Sequence, residues 1–417
     1  MKQRWALPHL AVPITLTVLV LGAQLASAPA LSDPVAGVAP PSLRLAVPWL
    51  YLALAPLFTL WDGVSMLSMS RLHGFLLGLA VLYSAWRVAR FISLRHAPTR
   101  PAAHRFAVLR EVGTLVLALL LLAAFLVAGA LWHRPMLSLA GVDPQDIVAD
   151  FHSHTNLSHD IRDTWMRNFD AEASRRWHSR AGFDAVFITD HNISSRESRV
   201  AIRQSGTAST VLCPGIEMSL WRAHIVLLGD TGPVERQRYR SLDGLLRLLA
   251  TSDSAYRALS VASLPEYRRY QWHRLDQLAA VGLDGFELVN ASPKANELTR
   301  AETDTVIGIA RTHNRFVVGV SDSHGWGATS MVWNLVRSPG GPPADLCGAV
   351  LGQLRTGFSA VRIIERHRLR PDDWWPMWLT PIGVVWETWR ALGWALTAGW
   401  LIWIWAWALL RRRPRSS

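Results

Sequence analysis

The chain has 417 residues, half of them hydrophobic, and a formal net charge of +12 at pH 7. Its length allows two or more domains, and its two cysteines exclude a disulfide-rich scaffold and a cysteine-based metal site. The positive charge does not indicate a nucleic-acid partner. Ten arginines lie in two short stretches, 87–110 and 411–415, beside apolar runs, where we expect them to face membrane lipid.

The N-terminal region is apolar in several separate runs. Lys2 and Arg4 precede an apolar run at 10–25, a pattern typical of a signal peptide and equally of an uncleaved first membrane span. Two further runs, 46–61 and 72–86, are each short for a complete span. We expect only one of these two to cross the membrane.

Two longer runs predict transmembrane helices. Residues 112–132 and 391–410 contain no charge, and each has about the length that crosses a ~30 Å hydrocarbon core. The arginine-rich stretches 87–110 and 411–415 are expected in the cytoplasm by the positive-inside rule. The sequence therefore predicts an integral protein of a membrane such as the bacterial inner membrane, with its middle segment outside the cytoplasm. The predicted domains are an N-terminal membrane region (1–134), a globular segment (135–371), and a C-terminal membrane helix with a basic tail (372–417).

The middle segment alternates predicted strands with amphipathic helical stretches. Apolar runs typical of strands lie at 146–151, 184–189, 210–212, 224–228, 258–262, 285–289 and 316–320. Amphipathic stretches typical of helices lie at 166–181, 242–250 and 297–314. Such alternation favours parallel strands in βα units, and therefore an α/β barrel or an open α/β sheet.

Histidines and carboxylates follow several of these strands directly. The residues concerned are His152, His154, His191, Glu217, Asp322 and His324, and His224 opens the predicted strand 224–228. The carboxyl ends of parallel strands meet on one face of such folds, so we expect these side chains to converge. A single histidine at a strand end is usually an ordinary hydrogen-bonded residue. Together these imidazoles and carboxylates predict a site for several zinc, manganese or iron ions.

The spacing of the first two histidines supports this interpretation. His152 and His154 lie two residues apart at the end of a predicted strand. Side chains two apart in an extended segment point to the same face, so both rings can bind one ion.

At these motifs the sequence resembles the PHP family, named for polymerase and histidinol phosphatase, across roughly residues 146–365. The resemblance implies a distorted (β/α)7 barrel with two or three divalent metal ions (Zn, Mn or Fe) that hydrolyses phosphoesters. It also implies a ligand for each position: His152, His154 and Asp322 for a first ion, Glu217 bridging to a second ion bound by His224, and His191, His324 and His159 for a third. Asp160 is the alternative to His159 if the loop shifts by one residue.

One motif departs from the family pattern. Where the family has Ala-His-Pro, this chain has the sequence from Ala262 to Pro265, with Leu264 at the expected histidine. Leucine cannot bind a metal, so the second ion would need a substitute from Glu266, Ser263, His273 or water.

Other residues near the motifs have predicted supporting roles. Asp190 is expected to orient a ligand histidine. Arg222, and with it Arg162 and Arg196, are candidates for pairing with phosphate oxygens, although solvated surface positions are the ordinary alternative for each arginine.

The sequence predicts a membrane-anchored metal-dependent phosphoesterase acting on a phosphorylated small molecule or another phosphoester, with membrane lipid as its surroundings. The alternative is a catalytically weak PHP-like module that binds a ligand or acts as a sensor, which Leu264 favours. A transporter is disfavoured because the predicted spans carry no charge at mid-span. Nothing in the sequence specifically supports a nucleic-acid substrate.

Overall fold

The computed structural model describes residues 8–95, 107–193, 210–338 and 344–411. The N-terminal region is helical, with α1 (Pro8–Leu25), α2 (Trp49–Ala53), α3 (Ala55–Ser65), α4 (Met69–Arg95) and α5 (Ala107–Leu131). The apolar run 46–61 does not form one helix, because Leu54 leaves helical geometry at φ −113° and ψ 36°. Pro56 then lies in the first turn of α3, where its missing N–H has no intrahelical partner to lose.

Two described helices are long and apolar enough to cross a membrane, Met69–Ser93 and Leu109–Leu131. Their 25 and 23 residues correspond to about 37 Å and about 34 Å at ~1.5 Å per residue. The run 72–86 therefore belongs to a helix of spanning length, whereas the run 46–61 does not. The apolar helix Trp394–Leu410 is shorter than its uncharged run, because it begins only after Gly393.

The remaining elements build a globular unit and the C-terminal helices. The strands are β1 (Leu31–Ser32), β2 (Arg44–Ala46), β3 (Ser138–Ala140), β4 (Asp146–Ser153), β5 (Ala185–Ile188), β6 (Val211–Leu220), β7 (Ala223–Leu228), β8 (Leu259–Ala262), β9 (Gly285–Asn290), β10 (Phe316–Val320), β11 (Val332–Arg337) and β12 (Val361–Arg366). The helices are α6 (His159–Arg162), α7 (Ala171–Ala181), α8 (Leu242–Tyr256), α9 (Leu275–Val281), α10 (Arg300–Thr312), α11 (Leu346–Leu354), α12 (Thr380–Arg390) and α13 (Trp394–Leu410).

Within the described part of the chain, ten strands form one sheet in the order β1-β12-β11-β4-β5-β6-β7-β8-β9-β10, and β2 pairs with β3. The neighbours β4-β5-β6 and β8-β9-β10 are parallel. The other neighbours are antiparallel; β6 and β7, for example, are joined by a tight turn at Trp221 and Arg222 that leaves no room for a crossover helix. The expected α/β fold is confirmed, with a mixed sheet in place of an all-parallel one.

The sheet curls until its last strand meets β4. The Asp322 N–H donates to the His152 carbonyl at 2.9 Å, and the His154 N–H donates to the Ser323 carbonyl at 3.1 Å. The buried amide of Asn334 on β11 supports this closure, because it donates to the Ala149 carbonyl at 2.8 Å and accepts the N–H of Gly319 at 2.7 Å. The curl brings the ends of β4, β5 and β10 to one place.

A continuous apolar core lies on the sheet. Phe151, Phe187, Phe286 and Phe316 are fully buried in one cluster. Burying a side chain of this size stabilises the fold by roughly 1.5–3 kcal/mol. The core therefore holds the strand ends, and the polar side chains on them, in fixed positions.

A disulfide joins Cys213 on β6 to Cys347 on α11, whose Cα atoms lie 5.6 Å apart. The sequence left this pairing open. Disulfides persist mainly in oxidising compartments.

A buried ionic cluster joins the N-terminal helices to the globular unit. Asp62 on α3 pairs with Arg366 on β12 at 2.8 Å and with Arg134 at 3.4 Å. The hydroxyl of Tyr51 donates to the same carboxylate at 2.8 Å. A buried charge that loses its partner is strongly destabilising, so this cluster fixes the helices relative to the sheet.

Candidate metal centre

The curled sheet gathers the predicted ligand side chains at one end. His152 and His154 come from the end of β4, Glu217 from β6 and His224 from β7. The others follow strands or begin a short helix: His191 lies after β5, Asp160 lies in α6, and Asp322 and His324 lie after β10. All of these side chains except Asp322 form three overlapping groups, and within each group the potential ligand atoms lie within 4.8 Å of one another.

The first group contains His152, His154 and Glu217. The Nε2 atoms of the two histidines are 3.0 Å apart, and Glu217 Oε2 lies 3.2 Å from His152 Nε2. Asp322 Oδ1 joins them at 3.2 Å from His154 Nε2. The alternation along β4 thus brings both imidazoles to the same two carboxylates.

The second group shares Glu217 with the first and adds His191 and His224. Glu217 Oε1 lies 2.9 Å from His224 Nδ1, and Oε2 lies 3.1 Å from His191 Nδ1. One carboxylate therefore faces two sets of imidazoles, which is the arrangement that a bridging ligand requires.

The third group contains His154, Asp160, His191 and His324. Asp160 Oδ2 lies 2.7 Å from His324 Nε2 and 3.1 Å from His191 Nε2. The His159 ring lies 5.1 Å from the His191 ring, outside these groups of described residues. Asp160 therefore belongs to the third group, and the assignment of His159 as a ligand stays a prediction.

The position of the missing histidine is filled by apolar packing. Leu264 is buried in the main core. Glu266, two residues later, places Oε2 3.8 Å from His224 Nδ1, beside the second group. His273, by contrast, lies in a 3₁₀ helix (Trp272–Arg274) and contacts Arg274.

The donor set fits divalent transition-metal ions. Imidazole nitrogen and carboxylate oxygen are the ligands that zinc, manganese and iron accept. Two ring nitrogens 3.0 Å apart, facing carboxylates, form a cluster that a cation would stabilise. His154 Nδ1 is buried without a hydrogen-bond partner among the described residues.

Burial and mutual charge shift the pKa values in this cluster strongly. Burial lowers the pKa of His154 to about 4, with help from the nearby His324. Burial also opposes protonation of His324, but the carboxylates of Asp322 and Asp160 outweigh it and raise the pKa to about 9. Although burial alone would raise the pKa of Glu217, the His152 charge and hydrogen bond hold it well below its usual range. At neutral pH the cluster therefore contains ionised carboxylates and a neutral His154.

A further carboxylate, Glu287 on β9, was missed by the sequence interpretation. It is fully buried, and its Oε1 lies 2.6 Å from His152 Nδ1. Its Oε2 accepts the Leu264 N–H at 2.8 Å and the Asn290 amide at 2.9 Å. The signal was present, because Glu287 interrupts an otherwise apolar strand, where an unpaired acid is rarely buried.

The predicted supporting residues lie in different surroundings. Asp190 is buried and accepts hydrogen bonds from the Thr155 N–H at 2.6 Å and the Thr155 hydroxyl at 2.7 Å. It therefore fixes the loop after His154, and burial raises its pKa to about 6. Arg222 is exposed at the β6-β7 turn, with its guanidinium 5.7 Å from the centre of the Trp221 ring.

The other two arginines add no described contact to the cluster. Arg162 pairs with the adjacent Asp163 at 3.1 Å on the surface. Arg196 lies outside the described residues.

No family model matches the sequence, and no curated protein was found as a relative. Among solved structures, PsfC from Pseudomonas syringae PB-5123 is 16% identical with a TM-score of 0.36, covering 58% of this chain and 96% of PsfC. A "putative metal-dependent phosphoesterase" from Bifidobacterium adolescentis ATCC 15703 is 16% identical with a TM-score of 0.31, covering 43% of this chain and 88% of the other. Likenesses of this strength identify neither a family nor an activity, so function is argued from the side chains.

Proposed function

We propose that the protein is a membrane-anchored, metal-dependent phosphoesterase, whose hydrolase domain (135–371) is a distorted (β/α)7 barrel of PHP type. The observation that carries the proposal is the set of three overlapping ligand groups, built from five histidines and two carboxylates, with Asp322 beside His154 as a third carboxylate. When bound, two or three zinc, manganese or iron ions would activate water and neutralise charge on a phosphoester.

The chain's own residues have distinct tasks in this proposal. Glu217 presents one oxygen to His152 and the other to His224, and so keeps two ligand groups at a fixed spacing. Glu287 accepts a hydrogen bond from the N–H at His152 Nδ1, which leaves the Nε2 lone pair free to bind a metal. Asp190 holds the backbone that follows His154. Each carboxylate reduces the motion of a ligand before substrate arrives.

The membrane placement has three supports. The helices Met69–Ser93 and Leu109–Leu131 have spanning length. The arginine-rich stretch 87–110 includes the connection between them, which favours a cytoplasmic location for that end. The disulfide between Cys213 and Cys347 favours an oxidising compartment for the globular unit. A topology test would compare reporter fusions at residue 100 and at residue 340; activity of an export-dependent reporter at 100 would contradict the placement.

The test of activity uses the full-length protein in detergent with generic phosphomonoester and phosphodiester substrates and added Mn²⁺ or Zn²⁺. Turnover is expected to depend on the metal and to be abolished by Asp322→Asn and by His154→Ala. The matched control is His313→Ala, a histidine that pairs with Asp276 on the surface. Retained activity in both cluster variants would refute the metal assignment.

The second candidate is a catalytically weak module that binds a phosphorylated ligand. The observation that favours it is Leu264, a buried apolar side chain where the family motif has a metal ligand. If the folded wild-type protein shows no turnover with any metal but Leu264→His hydrolyses esters, this second candidate is supported.

A further inference from the structure

A cavity of about 470 Å³ opens directly beside the candidate metal ligands Asp322 and His324. Its apolar lining includes four of the chain's eight methionines: Met66, Met69, Met166 and Met331. Methionine side chains are flexible and polarisable, and they adapt to apolar groups of varied shape. We call this cavity the methionine groove. Its end beside Asp322 and His324 suits a metal-bound anion, and the rest suits an apolar group.

The methionine groove ends at the first of the two helices of spanning length. Met69 begins α4, and its N–H donates to the Pro293 carbonyl in the loop after β9 at 2.8 Å. Pro293 and its neighbour Lys294 line the same cavity. A substrate extending from Asp322 along the groove would thus reach Met69, at the N-terminal end of α4.

The second helix of spanning length ends beside the loop after β10, which also lines the groove. A Cβ on Gly327, a groove residue, would lie 3.1 Å from Cα of Ala130 at the end of α5. Arg134, just beyond α5, donates to the Trp326 carbonyl at 3.1 Å. The segment that follows β10, which carries Asp322 and His324, is therefore packed against the end of α5, while the loop after β9 is hydrogen-bonded to the start of α4.

The hydroxyl groups of the groove are largely committed to the protein. Ser65 and Thr329 are hydrogen-bonded to each other at 2.6 Å, and the Ser321 hydroxyl donates to the His152 carbonyl at 3.3 Å. A sugar or nucleoside, which needs hydrogen bonds along its length, would find these three hydroxyls already paired. An acyl chain needs none.

We propose that the substrate is an amphiphilic phosphoester, a membrane lipid phosphate whose phosphate group binds at the metal cluster and whose acyl chain occupies the methionine groove. This inference rests on the proposed phosphoesterase activity. It commits to a lipid from the leaflet next to the globular unit, because the groove is continuous with both the ligand cluster and the start of α4.

The experiment measures kcat/KM of the full-length protein in micelles for a chain-length series. The substrates are glycerol 3-phosphate and phosphatidic acids with acyl chains of four, six and eight carbons, with the matching phosphatidylglycerol series for diesterase activity. We expect kcat/KM to rise about three- to fourfold for each methylene that the groove buries. A soluble-phosphate enzyme would show no such rise, and that result would overturn the inference.

Two variants place a charge in the groove. Met166→Glu and Met69→Glu are expected to lower the ratio of kcat/KM for the eight-carbon substrate to that for glycerol 3-phosphate at least tenfold. An acid at the first position of a helix is favourable, so Met69→Glu is compatible with folding. The conservative Met166→Leu should keep the ratio, as should Val211→Glu at an exposed apolar site outside the groove. An unchanged ratio in both groove variants would refute the inference.

A binding arm separates failure of the inference from failure of the proposed activity. Alkylphosphonates of increasing length cannot be hydrolysed, and their affinity for the Mn²⁺-loaded protein is measured by calorimetry. Affinity that rises with chain length without turnover of any ester would overturn the phosphoesterase proposal and keep the lipid-binding groove. Affinity independent of chain length would overturn the groove, whatever the turnover.

Discussion

Glu287 offers the sharpest test of how the cluster is held. Its carboxylate accepts from His152 Nδ1 on one oxygen and from the N–H of Leu264 and the amide of Asn290 on the other. In Glu287→Gln one oxygen becomes an NH₂ group. If that group faces Leu264 and Asn290, donors meet donors in a fully buried site. If it faces His152, the ring must carry its proton on Nε2, and that nitrogen can no longer bind a metal.

The magnitude follows from the loss of this orientation. Removing the hydrogen-bond partner of a metal-ligating histidine typically weakens metal affinity 10- to 100-fold, which corresponds to roughly 1.4–2.7 kcal/mol. We therefore expect the dissociation constant for Mn²⁺ or Zn²⁺ in Glu287→Gln to rise by a factor in that range. Calorimetric titration of the metal-free full-length protein measures it directly.

The control for Glu287→Gln is Asp284→Asn, just before the same strand. Asp284 also accepts a backbone N–H, from Ser260 at 2.8 Å, but it lies at the opposite end of β9 from the cluster. Asp284→Asn should therefore leave the metal affinity within about twofold of the wild-type value. If Glu287→Gln is folded and its metal affinity equals that of the control, Glu287 does not position His152, and the reasoning is wrong.

Three further outcomes are expected. The pKa of His324 is raised to about 9, so this ring is protonated at neutral pH and must lose its proton to bind a metal. The apparent metal affinity should therefore rise by up to about tenfold per pH unit between pH 6.5 and 8.5. An affinity that does not change with pH would contradict this. Leu264→His should lower the melting temperature, because it removes an apolar side chain from the core. If Glu266 already binds the second ion, Leu264→His should raise activity less than about threefold. In that case Glu266→Gln should weaken metal binding in a titration. Non-reducing peptide mapping of protein from cells should recover Cys213 linked to Cys347, whereas free thiols at both would argue against an oxidising compartment.

Much of the site could be predicted because its signals are local. His152 and His154 are two residues apart on a strand, and that spacing alone places both rings on one face. The length of an uncharged run is also read from one continuous segment. For this reason the predicted span 112–132 largely coincides with the helix Leu109–Leu131. Short apolar runs likewise indicated the strand that precedes Asp322 and the start of the strand that carries Glu217.

Local patterns in the chain therefore predict the order of the segments that carry the ligands, the lengths of the apolar runs and the kinds of ligand at the strand ends. The folded structure was needed to show that Asp160 joins His324, that Glu287 supports His152 and that β7 runs antiparallel to β6. The same holds for the methionine groove, whose walls come from residues as far apart as Ser65 and Met331. These features depend on strand register and on the curl of the sheet, which are set by contacts between distant segments, and no local pattern in the chain encodes a contact of that kind.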